Sequence, residues 1–152
     1  MVEITQGNTL EINNLLAFRK SVKQTQMAEV GMELEKEIKK TGVERAGAPI
    51  SVTYGMTGEL MDMEMFVPVN KVVATDNPFK FREKIKIVNA LKVAYKGNPA
   101  LLQEAYDEVG KYIEENGLVP ITQGYNIARK VNQIDMDNCE IDIYIGISPN
   151  IV

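Results

Sequence analysis

The sequence contains no histidine and no tryptophan, and its only cysteine is Cys139. Histidine is the commonest metal ligand and the usual general base, so zinc sites and Ser-His-Asp or Cys-His catalysis lack a necessary part. A lone cysteine cannot form an internal disulfide and usually packs as a small apolar residue. No GxGxxG or GxxxxGK[ST] phosphate-binding pattern occurs. We therefore expect no catalytic residues, no metal and no cofactor.

An excess of basic residues and a long apolar run are also missing. The chain has 17 Lys and Arg against 21 Asp and Glu, and each half carries two more acidic than basic residues. Nucleic-acid binding requires a basic face, so nucleic acid is not an expected partner. No apolar stretch approaches the ~20 residues that span a bilayer, and the N-terminus does not resemble a signal peptide. These absences predict a cytoplasmic protein without a membrane partner.

The 152 residues are 45% apolar and 25% charged, which is typical of one globular domain. Two segments have the apolar spacing of an amphipathic helix. The first covers residues 25–40 and ends at Gly42, and the second follows an Asn98 cap with Pro99 in its first turn. The apolar positions are Met27, Val30, Leu34 and Ile38 in the first helix, and Leu102, Tyr106, Val109 and Ile113 in the second.

Six segments are predicted to be strands: residues 9–22, 50–54, 61–69, 79–95, 125–131 and 141–147. Residues 61–69 and 141–147 alternate Met, Val or Ile with other residues, which indicates one buried face. Glu64 and Asp142 fall on the opposite face of these two strands. We expect that face to be solvated, which makes both residues surface carboxylates rather than a pair for acid–base chemistry.

The order strand, helix, strand, strand occurs twice, over about residues 9–70 and 79–149. The helices match at an offset of 75 residues, and the last strands match at an offset of 78. One such unit has too little apolar area to be stable alone. We therefore predict one α+β domain over residues 1–152, in which the duplicated β-α-β-β unit forms one curved, mainly antiparallel sheet. Its two helices would lie on one face about a pseudo-twofold axis, and the groove between them is a natural concave site.

The ordered motifs resemble those of the gyrase-inhibitor-like family, which includes the effector-binding domains of multidrug-responsive bacterial regulators. The resemblance covers residues 9–148, and its motifs are short. They are Tyr95-Lys96-Gly97, Glu115-Asn116-Gly117-Leu118, Met63-Glu64-Met65-Phe66-Val67-Pro68-Val69 and Glu140-Ile141-Asp142-Ile143-Tyr144-Ile145. The resemblance implies a ligand pocket between the two helices, lined by aromatic residues.

Many members of that family pair a buried glutamate with cationic drugs, and by position this glutamate would follow Tyr125. This chain has Asn126 there. A carboxylate compensates a buried cation, whereas a neutral amide can only form hydrogen bonds with it. The change argues against cationic drugs as ligands, and against the hydrolase activity that some relatives perform with the same carboxylate.

Our first hypothesis is therefore a stand-alone effector-type domain, without a DNA-binding module, that binds a small apolar or weakly polar molecule. Tyr125, Asn126, Tyr106 and Tyr54 are the predicted contacts, although each tyrosine alone also fits a packing role. The alternative is a protein-interaction or accessory module with a degenerate pocket, which would have a protein partner. A third hypothesis, which we favour least, is a hydrolase that relies on Glu64 or Asp142.

Overall fold

The computed structural model describes residues 2–131 and 134–148. Its strands are β1 (Val2–Lys23), β2 (Ile50–Thr57), β3 (Leu60–Pro68), β4 (Phe79–Gly97), β5 (Tyr125–Lys130) and β6 (Cys139–Gly146), and its helices are α1 (Met27–Thr41) and α2 (Leu102–Glu115). The predicted end of the second repeat, residue 149, lies outside the described residues. In the part of the chain that is described, no helix has the length and apolar character needed to cross a membrane.

The predicted α+β class, with the order β-α-β-β occurring twice, is confirmed. Gly42 ends α1 in the left-handed conformation with φ 77°, as its position after the last helical residue predicts. The Asn98 side chain accepts a hydrogen bond of 2.9 Å from the Ala100 N–H and so caps the turn before α2. β1 is longer than predicted, because it begins at Val2 rather than at residue 9.

The chain forms two compact units. The first unit is Glu11–Lys86, and the second unit combines Met1–Leu10 with Ile87–Val152. The boundaries fall inside β1 and β4, so each of these long strands contributes one half to each unit. In the first unit β3 pairs antiparallel with β1 and β2, and in the second β6 pairs antiparallel with β4 and β5.

Each unit has its own apolar core between its helix and one face of its strands, which we call the helix face. In the first unit Val30, Leu34 and Ile38 of α1 pack with Met63 and Val67 of β3. In the second unit the buried residues of α2 pack with three isoleucines of β6, with the isoleucine that follows this strand and with three residues of β4; they are Ala105, Val109, Ile141, Ile143, Ile145, Ile147, Leu91, Val93 and Tyr95. The helical and alternating patterns of the sequence therefore meet on this face, as predicted.

The two units also repeat the same backbone contacts at equivalent positions. The Val69 N–H donates to the Asn14 carbonyl at 2.8 Å, and the Ile147 N–H donates to the Asn89 carbonyl at 3.0 Å. Asn14 and Asn89 share a left-handed conformation, with φ 56° and 57°. Because these pairs lie at the offsets of 75 and 78 residues, the correspondence of the halves extends to single residues.

Candidate functional site

The expectation that Glu64 and Asp142 are surface carboxylates is wrong. Glu64 is 8% exposed and Asp142 is 4% exposed, although both lie on the face opposite the helix. We call this the acid face of each unit. Its strands carry other buried residues there, including Phe66, so β3 is covered on both faces. A buried carboxylate needs hydrogen bonds or a cation to offset the cost of losing water.

In the first unit, Tyr54 supplies the hydrogen bond that Glu64 needs. The Tyr54 hydroxyl donates to Glu64 Oε1 at 2.6 Å. The pairing register between β2 and β3 shifts between Thr53 and Gly55, which identifies a β-bulge at Tyr54. A bulge changes the direction in which the side chain of the extra residue points. The extra residue here is Tyr54, which contacts Glu64 on the neighbouring strand.

Arg19 of β1 completes this cluster from the other side. Its guanidinium carbon lies 4.1 Å from the centroid of the Tyr54 ring, within the range of a cation–π contact. The same guanidinium forms a bidentate pair with Asp62: Nε donates to Oδ1 at 3.0 Å, and Nη2 donates to Oδ2 at 2.7 Å. This hydrogen bonding lowers the pKa of Asp62 and raises the pKa of Arg19.

In the second unit an arginine occupies the equivalent bulge. The register between β5 and β6 shifts between Ala128 and Lys130, so Arg129 matches Tyr54 at the offset of 75. Arg129 Nε lies 2.7 Å from Asp142 Oδ2. The other carboxylate oxygen of Asp142, Oδ1, is buried and accepts no hydrogen bond from the described residues. The Arg129 side chain itself is half exposed.

Two of the predicted ligand contacts meet on the helix face of the second unit. The Tyr106 hydroxyl of α2 donates a short hydrogen bond to Asn126 Oδ1 of β5. Burial raises the pKa of Tyr106 to about 12. Both groups are neutral at pH 7, so the pair presents polar atoms without a charge.

The Tyr106 ring needs the glycine beside it. A Cβ atom at Gly124 would overlap the Tyr106 hydroxyl and would lie 2.8 Å from its Cε1, which is too close for any other residue. At the positions equivalent to Tyr106 and Asn126, the first unit has Gly31 in α1 and Ser51 in β2. Met65 approaches Gly31 there, at 3.7 Å from the position of a Cβ. The tyrosine–amide pair is therefore specific to the second unit.

The other two predicted contacts lie elsewhere. Tyr125 pairs across the strands with Tyr144, whereas Asn126 pairs with Ile143, so neighbouring Tyr125 and Asn126 point to opposite faces. Tyr54 lies on the acid face of the first unit, bonded to Glu64. The structure thus brings Tyr106 and Asn126 together and leaves Tyr125 on the acid face of the second unit. Ligand binding by these four residues stays a prediction, as does the groove between the helices.

The sequence-based reasoning overlooked the partners of the buried acids, Arg19 and Arg129. One signal was available: Leu15, Leu16, Ala17 and Phe18 form a continuous apolar run, and all four are buried. A continuous run indicates a strand that is covered on both faces. If β1 is covered on both faces, the adjacent strand β3 is covered on both faces as well. Glu64, on the acid face of β3, is then expected to be buried.

Comparison with known proteins shows the fold. No family model and no curated protein match the chain. Among solved structures, the EcmrR C-terminal domain has a TM-score of 0.77 at 16% identity, over 97% of both chains. A structure of EcmrR in complex with DNA has a TM-score of 0.82 at 18% identity, and the match covers 97% of this chain but 57% of that one.

A third similar structure is SAV2435 bound to tetraphenylphosphonium. It has a TM-score of 0.56 at 10% identity, with 98% of this chain and 94% of that chain covered. At such low identities these likenesses show that the chain shares the fold of the EcmrR C-terminal domain. A shared fold alone does not determine the function.

Proposed function

We propose that the protein binds a small, mostly apolar, neutral or weakly polar molecule, as an effector-type domain does, and that it does not catalyse a reaction. The contact between Tyr106 and Asn126 carries this proposal. It joins a helix to a strand on the helix face of the second unit and supplies hydroxyl and amide groups beside an apolar core. The fold shared with the EcmrR C-terminal domain, and with a protein bound to tetraphenylphosphonium, supports a ligand-binding role.

The chemistry of this pair selects for an uncharged ligand. The amide of Asn126 and the hydroxyl of Tyr106 can exchange hydrogen bonds with a carbonyl, hydroxyl or amide of the ligand. Neither can neutralise a positive charge, and an uncompensated cation in a half-buried site is costly. A buried carboxylate at residue 126 would reverse that preference.

Thermal unfolding with two probes of similar shape tests the proposal. Triphenylphosphine oxide is neutral and weakly polar, and tetraphenylphosphonium is a lipophilic cation. We expect the neutral probe to raise the Tm of the wild-type protein by about 3 °C at ten times its Kd, and the cation to have a smaller effect. In the variant Asn126→Glu the order should reverse.

Gln123→Glu is the control, because it also replaces an amide by a carboxylate and adds the same charge, but at an exposed residue three positions earlier. This variant should keep the wild-type preference for the neutral probe. The proposal fails if neither probe nor any other neutral apolar compound raises the Tm. It also fails if the cation stabilises the wild type and Asn126→Glu equally.

A second candidate function, binding of a protein partner, is favoured by exposed apolar residues in the second unit. Val88, Val119 and Ile121 are 62%, 49% and 60% exposed. They lie on backbone segments that bond to the same stretch of chain. Ile121 donates its N–H to the Gly146 carbonyl at the end of β6, and the Val119 carbonyl accepts from the Ser148 N–H. Val88 precedes Asn89, whose carbonyl accepts from the Ile147 N–H. The first unit has Asn13, Glu44 and Ala46 at the equivalent positions. Clustered exposed apolar residues often mark interaction surfaces.

Cross-linking in cells distinguishes the two candidates. The double variant Val119→Asp with Ile121→Asp should abolish any adduct that forms through this surface, and it should leave the response to triphenylphosphine oxide unchanged. Ala46→Asp, at the position equivalent to Ile121, should retain the adduct. If the double variant cross-links as the wild type does, a partner at this surface is excluded.

A further inference from the structure

The second unit contains a cavity of about 170 Å³ that is separate from the contact between Tyr106 and Asn126. Gln6 and Gly7 of β1 form one side of it, and Asn89 and Leu91 of β4 form another. Leu118 and Ile147 belong to its apolar wall. All of its lining residues lie within the second unit.

The first unit explains why the cavity exists. Its residues equivalent to Gln6 and Gly7 are Phe81 and Arg82. Phe81 packs against the core of the first unit. The residues equivalent to the apolar wall all belong to that same core; they are Leu16, Val43 and Val69. An aromatic ring therefore covers this part of the core in the first unit, whereas the second unit has a shorter polar side chain and a glycine.

We infer that this cavity is a binding site for a small aromatic molecule with a hydrogen-bonding substituent, such as a phenol. The ring would take the place that Phe81 has in the first unit. An apolar cavity of about 150 Å³ is large enough to bind benzene, so the volume suffices for one ring. Partly exposed Leu118 supplies most of the apolar contact, since Leu91 and Ile147 are only 1% and 5% exposed.

The polar part of the lining determines the substituent. The Gln6 amide nitrogen donates to the Tyr112 hydroxyl at 2.8 Å, and the Asn89 amide nitrogen donates to the Ile147 carbonyl at 3.2 Å. Since these bonds engage the amide nitrogens, the amide oxygens are the acceptors that such a lining offers to a ligand. Acceptors of this kind match a hydroxyl or amino donor on the ring. The site is uncharged, so a neutral phenol suits it better than a benzoate.

Titration with phenol, followed by the amide NMR signals of the full chain, tests this inference. In the wild type we expect the signals of Ala90, Leu91 and Ile147 to shift with a Kd of roughly 1 mM, as for a weakly bound fragment. Gln6→Phe copies the first unit and fills the cavity, so it should weaken binding at least tenfold. Phe81→Gln makes the reverse change and should create phenol-dependent shifts at Leu16 and Val69.

Leu118→Phe fills the same cavity from the opposite side and replaces Gln6→Phe if that variant does not fold. The inference is overturned if phenol leaves the signals of the wild type unchanged at ten times the expected Kd. Equal phenol affinity in the wild type and in a filled variant overturns it as well. Neither result bears on Asn126, so this site and the proposed function can fail separately.

Discussion

The two units bury a carboxylate at the same place and satisfy it in different ways. In the first unit a tyrosine at the bulge donates a neutral hydrogen bond to Glu64, and Arg19 covers its ring. In the second unit Arg129 at the same bulge forms an ion pair with Asp142 and leaves one buried oxygen without a bond from the described residues. Both units have a β-bulge at the equivalent position, but the residue at the bulge is neutral in the first unit and charged in the second.

The helix faces differ in a similar manner. Tyr106 and Asn126 in the second unit replace Gly31 and Ser51 of the first, and they add a polar contact beside an otherwise apolar core. Both proposed small-molecule sites therefore lie in the second unit. The first unit is filled at the equivalent positions by Met65 and Phe81. It provides an internal reference for each site.

The largest expected effect concerns the half-strand that β4 contributes to the first unit. Phe79 packs against that core, and its ring contacts the tilted ring of Phe18, with 4.9 Å between ring centroids and 56° between the ring planes. Its counterpart in the second unit is Ile4 of β1. We expect Phe79→Ala to lower the free energy of unfolding by about 3 kcal/mol and Ile4→Ala by about 1.5 kcal/mol, because both side chains are only partly buried.

Urea unfolding measures both losses, and hydrogen exchange assigns them to a unit. Phe79→Ala should speed exchange mainly in Glu11–Lys86, and Ile4→Ala mainly in the second unit. If each substitution speeds exchange equally in both units, the two halves of each long strand do not stabilise separate cores, and the prediction is wrong.

The next effect compares the two bulges. Arg129→Met removes the cation from buried Asp142, and we expect a loss of about 2 kcal/mol, which is less than for a fully buried pair because Arg129 is half exposed. Tyr54→Phe removes one neutral hydrogen bond from Glu64, for which about 1 kcal/mol is expected. Urea unfolding at pH 7 gives both values.

Exchange of the two arrangements sharpens this test. Arg129→Tyr alone should be as destabilising as Arg129→Met, since the aspartate is one methylene shorter than Glu64. Arg129→Tyr combined with Asp142→Glu copies the first unit and should recover more than half of the loss. A double variant no more stable than the single one would show that the bulges are not interchangeable.

A smaller effect distinguishes the helix faces. Tyr106→Phe removes the hydrogen bond to Asn126 and should cost about 1 kcal/mol at pH 7. Because the pKa of Tyr106 is raised to about 12, the folded state holds a proton that the unfolded chain loses near pH 10. The stability tied to this proton is therefore complete below pH 10 and is lost as the pH rises towards 12.

Unfolding measured at pH 9 and at pH 11 should show a smaller decrease in Tyr106→Phe than in the wild type. Burial also raises the pKa of Tyr95, so Tyr95→Phe serves as a second reference for this decrease. Gly31, the counterpart of Tyr106, contributes no such group to the first unit. An unchanged alkaline decrease in Tyr106→Phe would contradict the assignment.

Local sequence patterns predicted the elements of this fold because helices and strands depend on near neighbours. The spacing of Val30, Leu34 and Ile38 defines the core side of α1, and Gly42 and Asn98 mark helix ends. The meeting of Tyr106 with Asn126 has a different cause. It needs Gly124 to leave room for the ring, and this close approach is not visible in any periodicity.

The burial of Glu64 and Asp142 was missed because alternation describes one face of a strand and not what covers the other. The bulges at Tyr54 and Arg129 were missed since one extra residue leaves no clear signal in strands this short. These features depend on the pairing of distant segments. The cavity beside Gln6 has the same origin, because it is defined by residues from four parts of the chain.

The smallest expected effect is the response of the first unit to acid. Arg19 lowers the pKa of Asp62, and Lys84 lowers the pKa of Glu11, in each case chiefly by a side-chain hydrogen bond. A lowered pKa stabilises the folded state above the ordinary pKa, and this contribution disappears as the pH falls through the folded value. Stability should therefore decline below about pH 4. Because all four side chains are about half exposed, Lys84→Met and Arg19→Met should each flatten this decline only slightly in urea unfolding between pH 5 and pH 2.5. Lys92→Met in the second unit removes a similar charge on β4 without either pair, and a flattening as large as that of Lys84→Met would show that net charge alone governs the response.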